Sequence, residues 1–221
     1  GKASHADTYY AFYPAYTAAL VDSDNLYFNI SPNVTYQEGT FSPGGFPMAA
    51  KVDAGNDISF HNLCGILALR LTGKETVKSI TFMASNNQIV AGDFSVNMSD
   101  GEWKISPYNV GFVSSSSTVF MDCGEEGVTL KETEATEFYF VLPPQIYESF
   151  DIQIITTEGG MMFKHAGKPL EIKRSVLTPS GALSYVESYA IDLSERGTAN
   201  CYMVHNAGLY SFDASVIGIG N

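Results

Sequence analysis

The 221 residues carry 12 basic and 24 acidic side chains, a formal charge of −12, with 45% hydrophobic, 13% aromatic and only 16% charged residues. So few charges beside so many aromatics exclude a disordered chain, a coiled coil and a charge-laced helical bundle. The acidic balance excludes a nucleic-acid binder and opposes docking on an anionic membrane surface, because both need a basic face.

Short alternating runs, separated by Gly, Pro, Asn and Asp, follow one another along the chain. Residues 9–16 are an aromatic run interrupted at Pro14. Residues 25–30 alternate Leu26, Phe28 and Ile30 with polar neighbours and stop before Pro32. Gly39, Pro43, Gly44, Gly45 and Pro47 make the next stretch a loop, since such a cluster cannot hold a strand ladder. Residues 58–72 place Leu67, Leu69 and Leu71 on one face, and Asn62 and Gly65 predict a bulge or kink within them. Thr72-Gly73-Lys74 is a turn, followed by a strand over 77–84 and a second turn at Ser85-Asn86-Asn87. Gly92 leads into Phe94, Val96 and Met98, and Asp100-Gly101 is a strong turn pair.

Residues 105–117 are less regular and end in a serine tract. Strands are predicted over 118–123, 128–130 and 137–142, the last closed by Pro143-Pro144. Residues 150–154 and 161–163 read as a β-hairpin about Glu158-Gly159-Gly160. Leu170 and Ile172 mark a short strand, and 173–178 a single helical turn ended by Pro179 and Gly181. About nine short strands at roughly 8–12-residue spacing predict an all-β sandwich of short antiparallel strands. The βαβ alternative lacks its helices. Beyond a connector over 184–193, residues 198–205 and the alternating Tyr210, Phe212, Ala214 and Val216 read as two further strands. Two strands make no stable domain, so they either join the sandwich or begin another one. No run approaches the roughly 20 apolar residues of a membrane-spanning helix, and no signal peptide is visible.

Catalytic patterns are missing from the sequence. Cys64, Cys123 and Cys201 are odd in number and sit in apolar runs, which predicts buried, small apolar side chains. His5, His61, His165 and His205 stand singly, without the spacing a zinc site needs. His61 and Cys64 on an extended segment point to opposite faces, against a catalytic dyad. Glu125-Glu126 and the group Glu132, Glu134 and Glu137 read as solvated loop charges, with no calcium-loop pattern beside them. No GxSxG, GxGxxG or GxxxxGK motif occurs, and no cofactor is expected. Asn29, Asn33 and Asn97 begin N-glycosylation triplets. Trp103, the only Trp, with Tyr108 nearby, reads either as an exposed platform for sugar stacking or as a hydrophobic cover at one end of the sandwich. The expectation is a non-enzymatic binding or structural protein.

Several runs resemble those of one family, in order and at similar spacing over about residues 9–187. Tyr10-Ala11-Phe12-Tyr13-Pro14 resembles the "AvYP" strand of fimbrillin-like proteins, surface lipoproteins and pilus subunits of Gram-negative anaerobes. The run Phe60-His61-Asn62-Leu63-Cys64-Gly65-Ile66-Leu67 looks like the family's "FkNlcglL" strand. Leu71-Thr72-Gly73 with Val77-Lys78-Ser79-Ile80-Thr81 resembles its "LtG…VksIt" hairpin, and Ala91-Gly92 its "laG" step. Phe138-Tyr139-Phe140-Val141-Leu142-Pro143-Pro144 is similar to its "FYfvlPp" strand. Lys173-Arg174 stands where the family has "RN.i", with Ser175 replacing the Asn. Gly197-Thr198-Ala199-Asn200-Cys201-Tyr202-Met203-Val204 resembles the "GtANCYiV" opening of a C-terminal domain that follows such N-terminal domains.

The resemblance implies a transthyretin-like or immunoglobulin-like sandwich over 1–187, and over 188–221 the first strands of a second β domain cut short. It implies an adhesin or pilus (fimbrial) component at the cell surface, whose partners are other pilus or surface subunits or surface ligands. Outer-membrane attachment would be only through a lipidated N-terminal Cys upstream of Gly1. Polymerising members release an N-terminal strand by cleavage after Arg and fill the gap with a neighbour's strand, a form of strand addition. Here Arg occurs only at positions 70, 174 and 196, so either cleavage falls upstream or this chain does not polymerise that way. If strands are exchanged, Tyr210, Phe212, Ala214 and Val216 are the groove-filling candidates; otherwise they are core positions of the second domain. The alternative function is a glycan-binding module using Trp103 and Tyr108.

Overall fold

A period of two leaves one face of each segment to bury, and no run offers the 3.6-residue period of a helix. The computed structural model describes residues 6–15, 18–22, 25–99, 103–108, 115–191 and 201–203; it is all-β, with no α-helix among those residues. The strands in chain order are β1 (Thr8–Tyr13), β2 (Ala18–Asp22), β3 (Asn25–Ile30), β4 (Asn33–Thr35), β5 (Met48–Asp53), β6 (His61–Asn62) and β7 (Gly65–Thr72). There follow β8 (Thr76–Ala84), β9 (Gly92–Asn97), β10 (Lys104–Pro107), β11 (Thr118–Asp122), β12 (Val128–Thr129), β13 (Thr136–Leu142) and β14 (Gln145–Tyr147). The last are β15 (Phe150–Thr156), β16 (Met161–Ala166), β17 (Leu170–Ile172), β18 (Leu177–Ser184), β19 (Tyr189–Ile191) and β20 (Cys201–Met203).

Four sheets form the body. Their strand orders are β1-β5-β6, β10-β9-β3-β2, β16-β15-β8-β11-β4 with β12 also on β8, and β13-β7-β18. Two ribbons, β14-β17 and β19-β20, complete the pairing. Side chains from facing sheets meet in one core. Phe12 of β1 meets Phe28 of β3 with ring centroids 5.7 Å apart, and Phe82 of β8 meets Phe140 of β13 at 6.2 Å. The first sheet thus packs on the second and the fourth on the third, and alternate residues are buried along β3, β9 and β15.

The kink expected near Asn62 and Gly65 is a change of sheet. β6 pairs with β5, whereas β7 pairs with β13 and β18. Backbone bonding hands over accordingly: Leu63 N–H donates to the Pro47 carbonyl at 2.9 Å, and Ile66 N–H to the Val176 carbonyl at 3.0 Å. A second handover lies at Pro32, which has no N–H and separates β3 in one sheet from β4 in another.

Several local expectations hold. Asn86 and Asn87 both take left-handed backbone, at φ +55° and +56°, in the turn after β8. The β15–β16 hairpin closes through Gly159 at φ +86°. Others are corrected. β7 and β8 do not form a hairpin across Thr72-Gly73-Lys74; they lie in different sheets, because each has a buried, doubly flanked position of its own. The ladders are not all antiparallel: β4–β11 and β7–β18 run parallel. Residues 173–178 contain no helical turn. Ser175 at φ +63° reverses the chain, and β-branched Val176 and Thr178 ahead of Pro179 favour extended backbone, so β18 begins there. The prolines within strands, Pro107 and Pro179, fall on the edge strands β10 and β18, where no interior ladder needs their missing donor.

β19 pairs antiparallel with β20, and with no other strand among the described residues. The Asp100-Gly101 turn and the strand containing Tyr210, Phe212, Ala214 and Val216 lie outside the described residues.

Candidate functional site

Of the two aromatics read as a sugar platform, Trp103 is buried, only 9% exposed, and belongs to the core cluster. Its indole lies against the His61 ring with centroids 4.7 Å apart. The expectation of an exposed Trp103 face is therefore corrected: the backbone there is left-handed, at φ +43°, and the ring belongs to the core. Tyr108 is half-buried, its ring centroid 4.4 Å from that of Tyr27. The two do not form one exposed stacking surface.

Cys64 and Cys123 are free and buried. Burial pushes the Cys64 thiol far up, and burial with Asp122 beside it pushes Cys123 up to about 12, so both stay protonated at neutral pH. His61 is exposed and packs on Trp103, whereas Cys64 is fully buried; the chain changes sheet between them, so the two do not lie on one unbroken strand. The acidic group after β12 is divided among separate cations. Glu132 pairs with Lys74 at 3.1 Å, Glu134 with Lys131 at 2.7 Å and Glu137 with Arg70 at 3.5 Å. A hydrogen bond from Lys131 and its charge hold the Glu134 carboxyl below the usual range. Among the described residues no three His, Cys, Asp or Glu side chains converge as metal ligands.

The remaining surface features lie where the third and fourth sheets end side by side, at edge strands β16 and β18. The β16 edge is partly covered. Ser188 N–H donates to the Met161 carbonyl at 2.6 Å, and the Ser188 hydroxyl accepts from Phe163 N–H at 2.9 Å. β18 pairs with β7 on one side and with no strand on the other among the described residues. It begins beside two exposed apolar side chains, Val176 (43%) and Leu177 (50%). Its register shifts between Pro179 and Ala182, which leaves Ser180 and Gly181 bulged from the ladder.

Between these edges lies a groove of about 230 Å³, floored by Leu67, Leu69, Ile152 and Leu183. Lys164 enters it from β16. Residues opposed in an antiparallel pair share a face, and Lys164 is opposite the core residue Ile152. Lys168 lines it as well. Sequence reasoning missed this groove, although the alternation Met162, Lys164, Ala166 already placed a lysine at an inward position of the hairpin.

The chain is thus an all-β protein of stacked sheets, with β18 open along its outer edge among the described residues and an apolar groove beside it. No known protein-family model matches it, and no curated protein does either.

Proposed function

We propose that the chain is a non-enzymatic cell-surface protein, a fimbrillin-like adhesin or pilus component with a transthyretin-like or immunoglobulin-like sandwich. The observation that carries this reading is β18. It is an eight-residue edge strand, unpaired on its outer side among the described residues, with Leu177 half exposed at its start. Backbone donors and acceptors in such a row are the template on which another chain adds a strand, with neighbouring apolar side chains supplying specificity. The family motifs over residues 9–187 support the same reading. Its partners are other pilus or surface subunits or surface ligands, and attachment to the outer membrane runs through a lipidated N-terminal Cys.

Protein stripped from the native cell surface, run on denaturing gels with and without boiling and probed with antibody, tests the assembly. The expected result is a ladder in the unboiled lane that collapses to a monomer on boiling. A single monomer band in both lanes overturns the pilus form. Protease shaving of intact cells is expected to remove the protein, and its survival overturns the surface assignment.

A further inference from the structure

The groove between β16 and β18 differs from the rest of the molecule in charge. The chain has twice as many acidic as basic residues, yet among the described residues the groove is lined by no Asp or Glu and by two lysines, Lys164 and Lys168. The nearest carboxylate along the hairpin, Asp151, is opposite His165 rather than Lys164 and holds the His165 Nδ1 at 2.7 Å. It therefore sits on the other face of the sheet, and His165 is already partnered there. Among the described residues neither Lys164 nor Lys168 has an ion-pair partner within 4.0 Å. Ser180 is committed too: its hydroxyl accepts from Arg70 N–H at 3.0 Å and donates to the Gly181 carbonyl at 2.8 Å. What the groove offers is an apolar floor and two unpaired ammonium groups.

We propose that this groove binds a small amphiphilic carboxylate, an acyl or aryl acid whose hydrocarbon body lies on Leu67, Leu69, Ile152 and Leu183 while its carboxylate meets Lys164 and Lys168. Size selects the class. A dry cavity of about 150 Å³ admits benzene, so 230 Å³ takes a body of about nine carbon atoms. Charge selects the headgroup, because an amine would meet two ammonium groups and an alcohol would leave both unneutralised. A lysine on the inward face of an edge strand also discourages unwanted strand pairing. That role asks for no second lysine along the groove and no apolar recess beside it, and both are present.

Octanoate titrated into the full chain by calorimetry is the test, with octan-1-ol and octylammonium as matched probes. Octanoate is expected to saturate at one per chain and to bind about tenfold tighter than octan-1-ol, the worth of one hydrogen bond to a charged group at a partly wet site. The double variant Lys164→Met/Lys168→Met is expected to bring octanoate down to the affinity of octan-1-ol, since these are the two lysines that line the groove. Lys164→Glu is expected to reverse the preference towards octylammonium, a gain of binding that an unfolded variant could not produce. Equal binding of octanoate and octan-1-ol, unchanged octanoate binding in the double lysine variant with an unaltered melting curve, or no saturable binding at all would each overturn the proposal.

Discussion

Gly65 lies against the backbone of Lys173: a Cβ built at residue 65 would collide with the Lys173 carbonyl oxygen. This is the point at which the chain passes from β6 into β7 while the β17–β18 turn crosses it, with Ser175 N–H donating to the Cys64 carbonyl at 2.9 Å. The obstruction is backbone, which cannot swing aside as a side chain can. Gly65→Ala is expected to destabilise the protein by about 1–3 kcal/mol, the usual cost of overpacking, read as a lower urea midpoint at unchanged slope. A midpoint equal to that of the parent would mean that this crossing is loosely held.

Phe82 and Phe120 stand on adjacent strands with opposite fates. Phe82 is fully buried and meets Phe140, Tyr147 and Phe150, whereas Phe120 is 39% exposed on β11. Phe82→Ala is expected to cost about 3–5 kcal/mol, through lost transfer energy and the cavity left behind. Phe120→Ala should stay within about 0.5 kcal/mol if its surface faces only water. A large loss at Phe120 in a sample that associates would instead reveal a covered face.

Alkaline pH should weaken the fold. Burial raises the Cys64 thiol and the Tyr147 phenol, whose hydroxyl donates to the Pro143 carbonyl at 3.0 Å. Each stays protonated in the fold after the unfolded chain has released its proton. Their contribution is therefore fully present below the unfolded values, 9.0 for the thiol and 10.0 for the phenol, and is lost as pH rises towards the higher folded values. The slope is about 1.4 kcal/mol per pH unit for each such group. Urea unfolding at a series of pH values from 8 to 11 should show this decline, and Cys64→Ala should remove one group's share of it. An equal slope in the variant would exclude Cys64 as a source.

Trp103 gives a spectroscopic check on the end of the sandwich. A buried indole against His61 should emit to the blue of the denatured chain and resist quenching by acrylamide. Quenching as fast in the native state as in urea would mean that the indole is open to solvent, and the sugar-platform reading would return.

The period-two pattern carried the local facts of this protein. Leu67, Leu69 and Leu71 are buried as their alternation requires, Asn86-Asn87 and Gly159 turn the chain at the positions their residue types predict, and Cys64 and Cys123 are interior. Alternation and turn chemistry are properties of neighbouring residues, so they are legible without a fold. Partner choice is not. β7 and β8 are adjacent in sequence and belong to different sheets, while β7 runs parallel to β18, which begins more than a hundred residues later. A pattern of two says which side of a strand is buried, never against what, and that choice falls to packing between distant segments. The burial of Trp103 and the meeting of Lys164 with Leu67, Leu69 and Leu183 were decided at the same level, because each depends on where two sheets come to rest against one another.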